Sequence, residues 1–157
     1  MTTIHSLINI SPYILYCIPL LLFILTFNYN YIYINFLFLV FGIILNTILK
    51  RIIHTYRDPS YSKKCGKIDK YAMPSGHAQI YAMFSTFFIL WVMLNNKNES
   101  LFIRLMVSIG IIVFLITICY QRVHLKCHRL YQVTIGTLIG IVVGIIIYVI
   151  YNNNIIN

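Results

Sequence analysis

Apolar residues run almost unbroken through five stretches, roughly 12 to 27, 31 to 49, 77 to 94, 101 to 120 and 130 to 151, with short polar breaks between them. Most approach the ~20 residues that a helix needs to cross a hydrocarbon core. The pattern predicts an all-α polytopic membrane helix bundle of about five transmembrane helices, in a single domain over residues 1–157 without a repeat. Pro12 and Pro19 interrupt the first stretch, which reaches full length only if Leu7 to Ser11 join it; a tilted or partly interfacial helix is the other reading. No Lys or Arg precedes it and no small-residue cleavage site follows, so it is not read as a signal peptide.

The breaks set the topology. Asn28, Tyr29 and Asn30 join the first two spans, and residues 95 to 100 join the third and fourth, so both are tight turns on one side. The other side receives Lys50 to Gly76 and Gln121 to Arg129. Those two segments hold ten of the twelve Lys and Arg residues; Lys97 and Arg104 are the exceptions. An odd number of spans puts the C-terminus on the face opposite the basic one. Gly136, Gly140 and Gly144 recur every four residues in the last span and form a smooth ridge for close helix packing, within the bundle or across a dimer.

Composition agrees with a bilayer. The chain is 60% hydrophobic and 10% charged, with a mean hydropathy of +0.83, outside the range of soluble globular domains. Its net charge of +9 suggests nucleic acid in a soluble protein, but here the cations flank membrane spans and point to phosphate headgroups, with no nucleic-acid partner. Cys17, Cys65, Cys119 and Cys127 are scattered without a C-x-x-C pair, so neither a zinc site nor a disulfide framework is expected. Asp58, Asp69 and Glu99 are the only acids and Glu99 falls on the wrong face, so no carboxylate cluster for a metal is expected.

Three clusters carry chemistry. In Lys50-Arg-Ile-Ile-His-Thr-Tyr-Arg57-Asp-Pro59, a Lys at a span end and an Arg seven residues on can converge on one anion, although alone such residues read as snorkelling anchors. Met73-Pro-Ser-Gly-His77 opens the third span. There the N–H groups of Ser75, Gly76 and His77 are expected to leave the helix end free for an anion, beside a titratable imidazole. Gln121-Arg122-Val-His124-Leu-Lys-Cys127-His128-Arg-Leu-Tyr-Gln132 links the last two spans, and Gln132 one turn past His128 can hold one ring nitrogen and leave the other to attack.

Together these clusters resemble the type 2 phosphatidic acid phosphatase superfamily, whose pattern is K-x6-R-P, then P-S-G-H, then S-R-x5-H-x3-D. The resemblance implies that Lys50, Arg57 and Arg122 bind phosphoryl oxygens with help from Ser75 and Gly76, that His77 is the acid and that His128 is the nucleophile. Asp58 before Pro59, Gln121 for Ser and Gln132 for Asp depart from that pattern. Lys70-Tyr-Ala-Met-Pro-Ser-Gly-His77-Ala-Gln79 and the Gln132-Val-Thr-Ile-Gly136 ending are similar to the dolichyldiphosphatase branch, where the Gln is usual. That branch implies a polyprenyl diphosphate substrate, a phosphohistidine intermediate, no cofactor, and an endoplasmic-reticulum-like membrane if the source is eukaryotic. Two rivals stand beside it: a broad lipid phosphate monoesterase of the same fold, and a silent membrane protein that retains the fold.

Overall fold

The computed structural model describes residues 15–21, 24, 25, 27, 29–57 and 70–156. Four helices in it are long and apolar enough to cross a membrane: α1 Asn30–Ile53, α2 Gly76–Leu94, α3 Leu101–His124, and α4 Leu130–Ile156, of which Leu130–Asn153 is the spanning part. Of the expected first span, residues 15–21 are helical. Leu7 to Tyr13, with Pro12, lie outside the described residues.

The helices run past the apolar stretches that predict them. α1 continues to Ile53 and so holds Lys50 and Arg51 in its last turn, and α3 continues to His124 and holds Arg122. The reason is chemical: a helix end needs no apolar residues once it leaves the hydrocarbon, and cations favour its C-terminal pole. His54 ends α1 in the left-handed region at φ 50°, and its N–H returns to the Lys50 carbonyl at 3.2 Å. Inside α1 the backbone widens to one π turn at Val40–Ile44.

α2 and α4 form the tightest pair, and glycines on α4 explain it. A Cβ on Gly136 would stand 2.7 Å from the Ser75 carbonyl oxygen, and one on Gly144 would stand 2.6 Å from that of Met83. The Gly136, Gly140 and Gly144 ridge therefore packs inside the bundle, against the backbone of α2. On the other side of α2, Phe84 meets Phe38 of α1 at 4.0 Å between ring centres and Tyr16 at 5.5 Å, and Phe38, Met83 and Ile147 are fully buried. α3 lies at the periphery with most of its apolar side chains exposed, as suits a helix facing lipid.

The turn between α2 and α3 closes as its polar break predicts. Ser100 caps α3, its Oγ accepting from the Ile103 N–H at 3.3 Å, and Tyr148 donates to Asn95 Oδ1 at 2.7 Å to tie the turn to α4. On the opposite face a short antiparallel bridge joins Tyr56 to Tyr71, with Ala72 N–H to Thr55 carbonyl at 2.8 Å and Arg57 N–H to Lys70 carbonyl at 3.3 Å. That bridge holds Arg57 beside the entry to α2.

Candidate active site

The second and third clusters meet directly. The Ser75 N–H donates to the Gln132 carbonyl at 3.2 Å, so the entry of α2 is tied to the first turn of α4. This corrects one expectation: Ser75 N–H is spent on protein and is not free for an anion. Its side chain fits better, because Ser75 is fully buried and Oγ has no hydrogen-bond partner among the described residues. α2 begins at Gly76, with Ser75 as its N-cap residue and a cis Met73–Pro74 bond before it. A Cβ on Gly76 would lie 3.1 Å from Asn46 Oδ1, a close approach.

Between α3 and α4 the chain turns within a few residues. Cys127 N–H and His128 N–H both reach the Arg122 carbonyl, at 3.0 and 3.2 Å, after Lys126 adopts a left-handed φ of 56°. That turn buries His128 to 4% exposure and Arg122 to 3%. The first cluster joins through Arg57, whose Nη1 donates to the Cys127 carbonyl at 2.8 Å.

Gln132 fixes the imidazole. Its Oε1 lies 3.3 Å from His128 Nδ1 and also accepts the Arg129 N–H at 3.1 Å, while its Nε2 donates to Tyr131 Oη at 3.3 Å. An oxygen already acting as acceptor makes Nδ1 the protonated nitrogen, which leaves the lone pair on Nε2. Burial, with the charges of Arg57, Arg122 and Lys50, lowers the His128 pKa from 6.5 to about 3, the Gln132 hydrogen bond opposing only in part. The ring is therefore neutral at physiological pH.

A cavity of about 300 Å³ opens over this turn, with Arg57, Cys127, Arg129 and Gln132 in its wall. Among the described residues no three His, Cys, Asp or Glu side chains come together as a metal site requires. Cys127 is disulfide-bonded, against the expectation of no disulfide. Asp58 and Pro59 of the first cluster also lie outside them.

The family pattern of the PAP2 superfamily matches residues 13–156. The chain belongs to that superfamily. It is 34% identical over 114 residues to dolichyldiphosphatase 1 of Dictyostelium discoideum, covering 72% of this chain and 49% of that one. It is 28% identical over 104 residues to dolichyldiphosphatase of Saccharomyces cerevisiae (64% and 44%), and 32% over 77 residues to dolichyldiphosphatase 1 of Homo sapiens (45% and 32%). The chain thus spans about half the length, or less, of these curated relatives. No solved structure matches it.

In this PAP2 chain all the expected site residues occupy one face. Lys50 and Arg122 sit in the last turns of α1 and α3, Gly76 and His77 in the first turn of α2, Gln132 in that of α4, and Ser75, Arg57 and His128 in the connections. The cavity wall also contains Thr55, Tyr56, Arg129 and Tyr131, which the motif reading did not select. Arg129 gave a signal as the cation next to His128. Thr55 and Tyr56 gave none, since only the bridge to Tyr71 brings them in.

Proposed function

We propose that this chain hydrolyses a polyprenyl diphosphate to the monophosphate and inorganic phosphate through a phosphohistidine on His128. One observation supports this above the rest: His128 is buried and neutral, its Nδ1–H is held by Gln132, and three cations act on it. A neutral ring amid positive charge is a nucleophile awaiting an anion.

In the first step the Nε2 lone pair attacks the terminal phosphorus, and the bond to the bridging oxygen breaks with its electron pair on that oxygen. Arg57, Arg122 and Lys50 stabilise the charge spread over the phosphoryl oxygens, and Ser75 Oγ and Gly76 add close contacts. His77 donates its proton to the departing oxygen. In the second step His77 takes a proton from water, the water oxygen attacks phosphorus, and the phosphorus–nitrogen bond returns its pair to Nε2. No step requires a metal or cofactor.

The names of the relatives support the diphosphate, and Gln132 is consistent with it. A neutral amide holds the ring without a countercharge, and a phosphate leaving group makes smaller demands on the nucleophile than an alkoxide does. The test is phosphate release by the purified chain from polyprenyl diphosphate, polyprenyl phosphate and phosphatidic acid. Turnover should be greatest on the diphosphate and absent in His128→Ala. Preference for a monophosphate supports the monoesterase reading instead, and inactivity on all three supports the silent one.

A further inference from the structure

Arg129 occupies a position that the third motif leaves variable, yet it lines the same cavity as Arg57 and Gln132. Its backbone is fixed there, because its N–H donates at 3.1 Å to the Gln132 oxygen that holds the His128 ring. The residue that orients the nucleophile therefore also sets where the Arg129 side chain starts. In the chain His128 precedes Arg129, and Leu130 follows it and lines a cleft of about 440 Å³ between α3 and α4, walled by Ile116, Val123, Val133 and Leu138.

A lipid diphosphate has the same order of parts: a terminal phosphate, a bridging oxygen, a second phosphate and an apolar tail. The chain presents a nucleophile, a guanidinium and an apolar cleft in sequence, His128, Arg129, Leu130. We propose that Arg129 binds the inner, tail-bearing phosphate of the diphosphate, and so forms a second anion subsite beside the catalytic one. This rests on the diphosphatase reading above and adds to it the residue that discriminates for two phosphates.

The chemistry suits a guanidinium. Its planar fork takes two phosphate oxygens at once, and its charge persists at any physiological pH. Tyr56 and Tyr131 belong to the same wall, and Lys70 Nζ stands 5.5 Å from the centre of the Tyr56 ring. When the terminal phosphoryl group moves to His128, negative charge gathers on the inner phosphate, where Arg129 meets it. The bridging oxygen keeps the bond pair and His77 supplies the proton, so Arg129 itself forms and breaks no bond.

The test uses the full chain in detergent micelles with a C20 polyprenyl diphosphate as substrate, and with inorganic phosphate and the C20 monophosphate as inhibitors. Inorganic phosphate reports the catalytic subsite. The monophosphate, as product, reports the inner one. Arg129→Gln should raise KM for the diphosphate and the inhibition constant of the monophosphate at least tenfold, and leave that of inorganic phosphate within threefold. Arg129→Lys, a charge without the fork, should fall between Gln and Arg. Equal weakening of all three ligands, or weakening of none, overturns the subsite. A native chain that releases no phosphate from the diphosphate overturns instead the functional reading on which it rests, so the two failures are told apart by the unmodified protein.

Discussion

Asn46 Nδ2 donates to Gln79 Oε1 at 2.7 Å, and Gln79 Nε2 reaches the Phe41 carbonyl at 3.2 Å, inside the π turn of α1. Both side chains are buried, Gln79 completely, among apolar spans. Such polar residues in a membrane interior persist when they are satisfied and useful. Asn46 lies one helical turn before Lys50, and Gln79 two residues after His77, so this link joins the helices that carry the proposed phosphate-binding cation and the proposed acid.

From that link follows a coupled loss. Gln79→Leu or Asn46→Leu strands a buried polar partner, at about 1–3 kcal/mol each. The double variant should lose less than the sum, since neither partner is then stranded. Melting of the four proteins in detergent measures this; strictly additive losses would show the pair to be uncoupled.

The ridge on α4 gives a sharper contrast. Gly136→Ala and Gly144→Ala drive a methyl into α2 backbone atoms, at 2.7 and 2.6 Å, and should cost about 1–3 kcal/mol as overpacking does. Gly110→Ala meets nothing within 4 Å on α3 and should be neutral or mildly stabilising. Thermal melting of the three variants tests it, and equal loss at Gly110 would break the distinction.

The last four spans were legible because the bilayer demands long apolar helices, whereas the first lies only partly among the described residues. The motif residues were legible because spacing inside each cluster survives folding. Tertiary consequences were not. Asn46 drew no reading within its apolar run, because its partner Gln79 is thirty-three positions away. Ser75 N–H read as free because the Gln132 carbonyl that takes it belongs to another helix. Cys127 read as unpaired because scattered cysteines without C-x-x-C carry no pairing signal.

Acid should act through His128 in an unusual direction. Its folded pKa of about 3 lies below the ordinary 6.5, so between those values the unfolded chain binds the additional proton. This group therefore lowers stability as pH falls from 6.5 towards 3, by at most about 1.4 kcal/mol per pH unit. In His128→Asn that contribution is absent, and its melting temperature should fall less between pH 7 and pH 4.5. Arg57→Gln removes a charge that depresses the ring, so His128 should titrate higher, as nitrogen NMR of labelled histidine would register. An unchanged or lower value would remove Arg57 from the causes.

The Cys127 disulfide bears on orientation. Disulfides persist in oxidising compartments, so the face carrying His128 should be non-cytosolic. The positive-inside rule argues the reverse, because seven basic residues against two remain after Lys50, Arg57 and Arg122 are set aside. In a background with Cys17 and Cys119 changed to Ser, an impermeant maleimide applied from the cytosol should modify Asn153→Cys and spare Arg51→Cys. The opposite pattern would reverse the orientation, and labelling of both would break the topology.

Gln132 gives the most direct test of the chemistry. It holds three hydrogen bonds, two at Oε1 from His128 and Arg129 and one from Nε2 to Tyr131 Oη, so a useful variant must keep its reach. Asp is one methylene too short, whereas Gln132→Glu preserves the length, and Tyr131 can turn to donate to the new oxygen. The carboxylate then faces Nδ1–H and stabilises the ring cation formed on phosphoryl transfer. Such a nucleophile should tolerate a poorer leaving group. Gln132→Glu should therefore raise the ratio of monophosphate to diphosphate turnover about tenfold, and trapped phosphohistidine should last longer. The same change places a negative charge beside the bound substrate, so KM should rise on both substrates together while kcat separates them. If kcat on the two substrates moves in parallel, the amide is a holder of the ring and nothing more, and the diphosphate preference must be sought at Arg129.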